Sequence, residues 1–343
     1  MAGLLLVALL LLPASTSAEM MLPHGFTGKI YVSGEGFDGT RAATGIPSTS
    51  TLAFDPSGLL YLARSGRRYQ GGEVDDILSL YRMPLGGVRV RMNAEPQFLY
   101  GPPLPNPQVG LVRGAHELLV TTYDRDRALG VLYRIVDGRA ELIAGGTPPR
   151  GEAPLLKQPE GVALDPAGNL YVADRAQNVV VQLDPQGRLL DAQWLSLPRP
   201  RLIVSSGDRI WVSSDGDAEA PWQRGTGEIW SVGPDGRHLS LRGPIAYGMS
   251  VSPGGHLFVA DRQNARLLAV GADGTSTEFA SFSEGDAPRA VIFAPDTEAT
   301  RRVGIANELF VILIRRGTFT LNEIMRVSGP FDTYVRSRLP ASR

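Results

Sequence analysis

The feature that most constrains this chain is an internal repeat whose unit cannot fold alone. Its clearest copy is Gln158 to Leu190, QPEGVALDPAGNLYVADRAQNVVVQLDPQGRLL. Two apolar runs, Gly161 to Leu164 and Leu170 to Ala173, flank the turn Asp165-Pro-Ala-Gly-Asn169. A third run, Val179 to Leu183, precedes a second turn at Asp184-Pro-Gln-Gly187, and a fourth covers Leu189 to Leu197. Pro and Gly stand where tight β-connections need them, so the unit reads as four short antiparallel strands. One such sheet has two apolar faces and must stack against others like it. The unit recurs in YGMSVSPGGHLFVADRQNARLLAVGADG (Tyr247 to Gly274), and TLAFDPSGLLYLARSG (Thr51 to Gly66) keeps its first half. Weaker copies cover Pro107 to Gly138, Pro200 to Gly236 and Pro288 to Gly329. Taking Tyr61, Leu119, Tyr171, Trp211, Phe258 and Phe310 as equivalent second-strand positions, the spacings are 58, 52, 40, 47 and 52 residues. A propeller blade needs roughly 40 to 50 residues. The expectation is an all-β chain, a six-bladed β-propeller of four-stranded antiparallel blades, near residues 46–104, 105–153, 154–199, 200–243, 244–286 and 287–339.

The motifs Pro-x-Gly-Val, Asp-Pro-x-Gly-Asn and Tyr-Val-Ala-Asp-x-x-x-Asn resemble the NHL repeat, strongly around Gly161 and Gly248 and weakly in the other four copies. The opening LPHGFTGKIYVSG also resembles the start of secreted sugar-dehydrogenase-like propellers. That resemblance implies a ring closed by an N-terminal strand, here residues 28–34 around Lys29 to Ser33, completing the last blade. A competing arrangement would use Thr333 to Leu339 as the outer strand.

The first residues carry an apolar run from Leu4 to Leu12, then Pro13 and small residues, with Thr16 and Ala18 placed for cleavage after Ala18. This reads as a signal peptide over 1–18, leaving 19–343 as one periplasmic or secreted domain with no membrane span. The run is about half the ~20 residues a spanning helix needs. A net charge of -1 gives no general attraction to nucleic acid or anionic membranes. The absence of Cys excludes disulfides, thiolate metal sites and cysteine nucleophiles. Lys29 and Lys157 are the only lysines, so the basic residues are nearly all arginine.

In a propeller, the start of each first strand and the loop after each second strand meet at one end of the central channel. Aligned on Glu160, the strand-start set is Ser50, Gln108, Glu160, Arg201, Tyr247 and Arg289. The loop set contributes Arg64, Arg67, Arg68, Arg175, Arg262 and Arg315. Long excursions at 64–76, 123–130 and 215–227 fall on the same rim, whereas the 296–306 insertion falls on the opposite face. Guanidiniums at this mouth could fork a carboxylate, phosphate or sulfate, with Glu160 as counter-ion and Tyr247 as donor. The alternative is a solvated channel lined with structural charge. Asp174 and Asp261 read as loop caps that accept backbone N–H groups. Asp215, Asp217 and Glu219 alternate as calcium ligands would, without the full loop pattern such a site needs, so a solvated loop is the competing reading.

The family resemblance extends to lactonases, amidating lyases and quinone-dependent sugar dehydrogenases. A lactonase of the gluconolactonase type would need metal-binding carboxylates where this chain has Ser50 and Tyr247. Three zinc-binding histidines would have to come from His24, His116, His238 and His256, and the last three fall away from the mouth. A quinone remains conceivable only through arginines. The sequence therefore points to a monomeric binding or scaffold propeller for a small anionic or sugar-like ligand or a partner peptide, without a required cofactor. The runner-up is a propeller-superfamily hydrolase, lyase or dehydrogenase with a non-standard active site.

Overall fold

The computed structural model describes residues 20–34, 49–64, 77–90, 95–113, 117–124, 126–219, 223–271, 274–283, 285–315 and 322–339. The segment read from sequence as a signal peptide, 1–18, lies outside them. Six antiparallel sheets follow one another along the chain. The third is the plainest: Pro159–Leu164, Leu170–Asp174, Val179–Leu183 and Leu189–Ser196 pair in sequence order. The Asp-Pro-x-Gly turn explains why its residues recur. Gly168 sits at φ 85°, and its N–H donates to the Asp165 carbonyl at 3.0 Å. The Asp165 carboxylate then accepts from the Asn169 N–H at 2.9 Å and from the Tyr171 hydroxyl at 3.0 Å. The first blade repeats the device with Asp55, Leu59 and Tyr61.

The second strand of each repeat is apolar on both faces because it is buried on both faces. Leu170 and Val172 pack towards the second blade, and Tyr171 and Ala173 pack towards the fourth. Six apolar clusters result, one for each pair of neighbouring blades around the ring. Close approach of the inner strands depends on glycine. A Cβ on Gly161 would lie 2.6 Å from the Arg201 carbonyl oxygen, and one on Gly248 would lie 2.7 Å from the Ala290 Cα.

The N-terminal strand Thr27–Gly34 pairs with Asn322–Ser328 as the outer strand of the sixth blade, closing the ring. Two short additions reinforce the seam. Met20–Met21 adds an edge strand to the fifth blade, and Val88–Val90, borrowed from the first blade, pairs in parallel with the closing strand. Residues 333–339 do not form the competing outer strand. Phe331–Arg338 is a helix whose buried Phe331 and Val335, four residues apart, share one face. The 296–306 insertion holds a short helix, Glu298–Arg302, and Thr297 donates from its hydroxyl to the Pro56 carbonyl at 2.7 Å. Pro56 lies in the turn joining the first two strands of the first blade, on the face away from the strand starts.

Candidate functional site at the channel mouth

Strand pairing places five of the six expected strand-start residues at one equivalent position. Glu160 falls between the pairs Pro159↔Asp174 and Gly161↔Ala173, where the register shifts. Arg201, Arg289 and Ser50 occupy the same shifted step in their blades. Tyr247 precedes Gly248↔Ala260, and its N–H donates to the Ala260 carbonyl at 2.9 Å. An unpaired extra residue at a strand start is a bulge, a device that re-aims a side chain out of the ladder. Gln108 departs from this pattern. It pairs with Thr121, the counterpart of Ala173, so it corresponds to Gly161 rather than Glu160, and the bulge in its blade falls at Gly110. Gln108 is buried one step deeper than the sequence alignment implies.

The mouth is organised by a buried charge cluster. The Asp215 carboxylate, with no exposed surface, accepts from Arg201 Nε at 2.8 and 3.1 Å and also from Arg175 Nη1. Arg175 further donates from Nη2 to the carbonyls of Ala218 and Glu219, at 2.9 and 3.0 Å. Arg201 reaches the Ala246 carbonyl through Nη2. The third, fourth and fifth blades are thereby tied together. Asp215 is thus no solvated loop carboxylate, and its oxygens are taken by guanidiniums instead of being turned towards a cation. Glu219 is exposed and donates its N–H to Gln223 Oε1. Among the described residues no group of three or more His, Asp or Glu could hold a metal.

Tyr247 stands at the centre of the remaining positive charge. Arg262 Nη1 donates to its hydroxyl oxygen at 3.1 Å, and the Arg262 and Arg201 guanidiniums lie 4.8 and 5.8 Å from its ring centroid. Burial raises the Tyr247 pKa above the usual tyrosine value, against the opposing pull of Arg262, Arg201 and Arg289, so the side chain is held as the neutral phenol. Burial works to lower the Arg201 pKa, yet Asp215, with help from Glu160, keeps it raised. Glu160 accepts from Gln158 Nε2 at 2.7 Å.

Asp174 and Asp261 act as loop caps. Asp174 accepts from the N–H groups of Lys157, Gln158 and Gln177, and Asp261 from the Asn264 N–H. Asp261 also pairs with Arg266. Arg67 and Arg68 lie outside the described residues, as do the side chains of Ser50, Arg64 and Arg315. His238 is exposed on an outer strand and His256 sits in a turn, so neither reaches the mouth. What sequence reasoning missed was the role of Asp215: its offset from the second strand equals that of Arg175 and Arg262, a match of opposite charge in neighbouring repeats.

Below this ring the inner strands enclose a cavity of about 250 Å³. Glu160 and Tyr247 line its mouth end, with Leu52, Val162, Leu202, Val204, Met249, Val251 and Ile292 among its walls. Its throat is therefore largely apolar.

No protein-family model and no curated protein matches the sequence. Solved structures do resemble the fold. A glucose dehydrogenase superposes with a TM-score of 0.53 at 13% identity, over 89% of this chain and 99% of that one. The PQQ-bound aldose sugar dehydrogenase from Streptomyces coelicolor gives 0.51 at 15% identity, over 90% and 100%. Virginiamycin B lyase from Staphylococcus aureus gives 0.49 at 12% identity, over 88% and 99%. Identities this low establish shared architecture.

Proposed function

We propose that this chain is a binding propeller that takes a small anionic ligand at the arginine-bearing end of its central channel. The observation that carries this reading is the grouping of Arg201, Arg262 and Arg289 around Tyr247 at the mouth of the channel cavity. Asp215 and Glu160 together balance Arg175 and Arg201, so the positive charge offered to a guest is that of Arg262, whose guanidinium lies on Tyr247. Excess charge in a poorly solvated site favours an anion over a neutral guest. A cavity of about 250 Å³ lies below the roughly 300 to 1,000 Å³ of drug-sized pockets, which limits the guest to a small molecule.

The residues do not fit a tricarboxylate quinone of the kind sugar dehydrogenases use. Arg175 and Arg201 are already engaged by Asp215, the throat is apolar, and no described histidine stands near it.

Titration calorimetry against small carboxylates, phosphate, sulfate and neutral sugars tests the binding reading. The expected result is binding of anions and not of neutral sugars, weakened roughly 10- to 100-fold by Arg262→Ala, the loss expected for a hydrogen bond to a charged group. Failure of every anion to bind, or binding indifferent to that substitution, overturns it. Arg201→Ala is the poorer probe, because it would also strip Asp215 of a partner.

A further inference from the structure

The chemistry of the cavity changes along its depth, and this restricts the guest further than charge alone. At the mouth stand Glu160 and Tyr247 with the arginines around them. Deeper, the inner strands of the fourth, fifth and sixth blades present Leu202, Val204, Met249, Val251 and Ile292, opposite Leu52 and Val162. A polyhydroxylated guest lying in this throat would find only the side-chain hydroxyls of Thr51, Ser205 and Ser250, the last already accepting from the Phe293 N–H, and each of its own hydroxyls left without a partner would cost about 1 to 3 kcal/mol. An aliphatic or aromatic guest would lose nothing there.

Tyr247 supplies the second constraint. It is 7% exposed, and its hydroxyl oxygen accepts from Arg262. No acceptor for its own proton is found among the described residues. A buried hydroxyl with an unused donor beside a cavity calls for an acceptor on the guest. An oxygen placed there would also meet the fields of Arg262 and Arg289.

Resting on the binding reading above, we propose that the guest is a short-chain monocarboxylate with an apolar tail, its head on Tyr247 and the arginines and its tail in the Leu202–Val204–Val251 throat. A sugar or sugar acid is the guest this geometry disfavours. The cavity corresponds to about eight waters' share of liquid volume at ~30 Å³ each, which suits a tail of roughly six to eight carbons.

The test is a homologous series from acetate to decanoate, with 3-phenylpropionate, gluconate and octanol as comparators, measured by calorimetry on the full-length chain. Affinity is expected to rise about fourfold per added methylene, the ratio for complete burial of a CH₂. The rise should stop once the throat is full, near octanoate. Octanol should bind more weakly than octanoate, and Val204→Thr combined with Val251→Thr should reduce the gain per methylene. Melting temperature and circular dichroism confirm that this variant is folded. If gluconate matches octanoate and affinity is flat along the series, the tail assignment is wrong while the anion site stands. If octanol matches octanoate, the carboxylate head is wrong. If nothing in the series binds, both this proposal and the anion-binding reading fall.

Discussion

At the level of single residues, Asp215 holds the mouth together. It is fully buried between Arg175 and Arg201, which belong to different blades, so its carboxylate does the work of a cross-link. Removing one partner from such a cluster leaves uncompensated buried charge, typically worth 3 to 5 kcal/mol. Asp215→Asn is therefore expected to lower unfolding free energy by roughly 3 to 5 kcal/mol in urea titration. The exposed pair Arg134–Glu141, broken by Glu141→Gln, should cost under about 1 kcal/mol. Equal small losses at both sites would show that the buried cluster is not a structural keystone. The sequence disclosed only part of this arrangement. Glu160, Arg201 and Arg289 could be aligned because each follows a proline, Pro159, Pro200 and Pro288, and Tyr247 because Gly248 follows it as Gly161 follows Glu160. Gln108 was misregistered because nothing in the local sequence marks that its blade's bulge lies at Gly110. The partnership of Asp215 with Arg175 was hidden by a sequence separation of 40 residues.

At the level of elements, the repeat made the blades legible and the seam was harder to read. Asp-Pro-x-Gly turns and alternating apolar strands are local signals, so the sheets around Gly161 and Gly248 followed directly. The closing strand Thr27–Gly34 was expected from resemblance, whereas Met20–Met21 and Val88–Val90 are too short for any periodic pattern to reveal. The C-terminal segment, read from sequence only as a competing outer strand, is a helix whose packing explains it. Phe331 meets Phe26, Phe258, Phe279 and Phe293 at ring-centroid distances of 5.1, 5.7, 5.6 and 5.0 Å. Asp332 accepts from the Ser252 hydroxyl at 2.5 Å. The helix thus covers the fifth and sixth blades together with the chain entering the closing strand. Phe331→Ala is expected to destabilise the protein by about 3 to 5 kcal/mol. Amide hydrogen exchange should rise first in Thr27–Gly34 and the strands it touches; uniform loss of protection across all six blades would argue against the helix as a seam lock.

For the whole molecule, ring closure makes stability a shared property of six interfaces, and the composition gives an unusual way to follow it. Tyr31, Tyr61, Tyr171 and Tyr247 come from the sixth, first, third and fifth blades, and burial is the leading cause of a raised pKa at each. Tyr171 is pushed up to about 12, with its bond to Asp165 adding to burial. Below the unfolded tyrosine value of 10.0 both states hold these protons, and the tyrosines add no slope to stability. Above it the unfolded chain releases protons that the folded ring retains, so stability falls as pH rises and continues to fall until the folded groups ionise. Lysine titration would ordinarily obscure this limb, but Lys29 and Lys157 are the only lysines, and arginine remains charged throughout. Urea midpoints measured from pH 8 to 11.5 should therefore stay nearly level to about pH 10 and then drop. Tyrosinate absorbance should show an exposed class titrating near 10, followed by a late class appearing together with loss of β-sheet circular dichroism. Titration of all ten tyrosines as one class near pH 10 in a fully folded ring would mean that the blade interfaces admit water, contrary to the packing described.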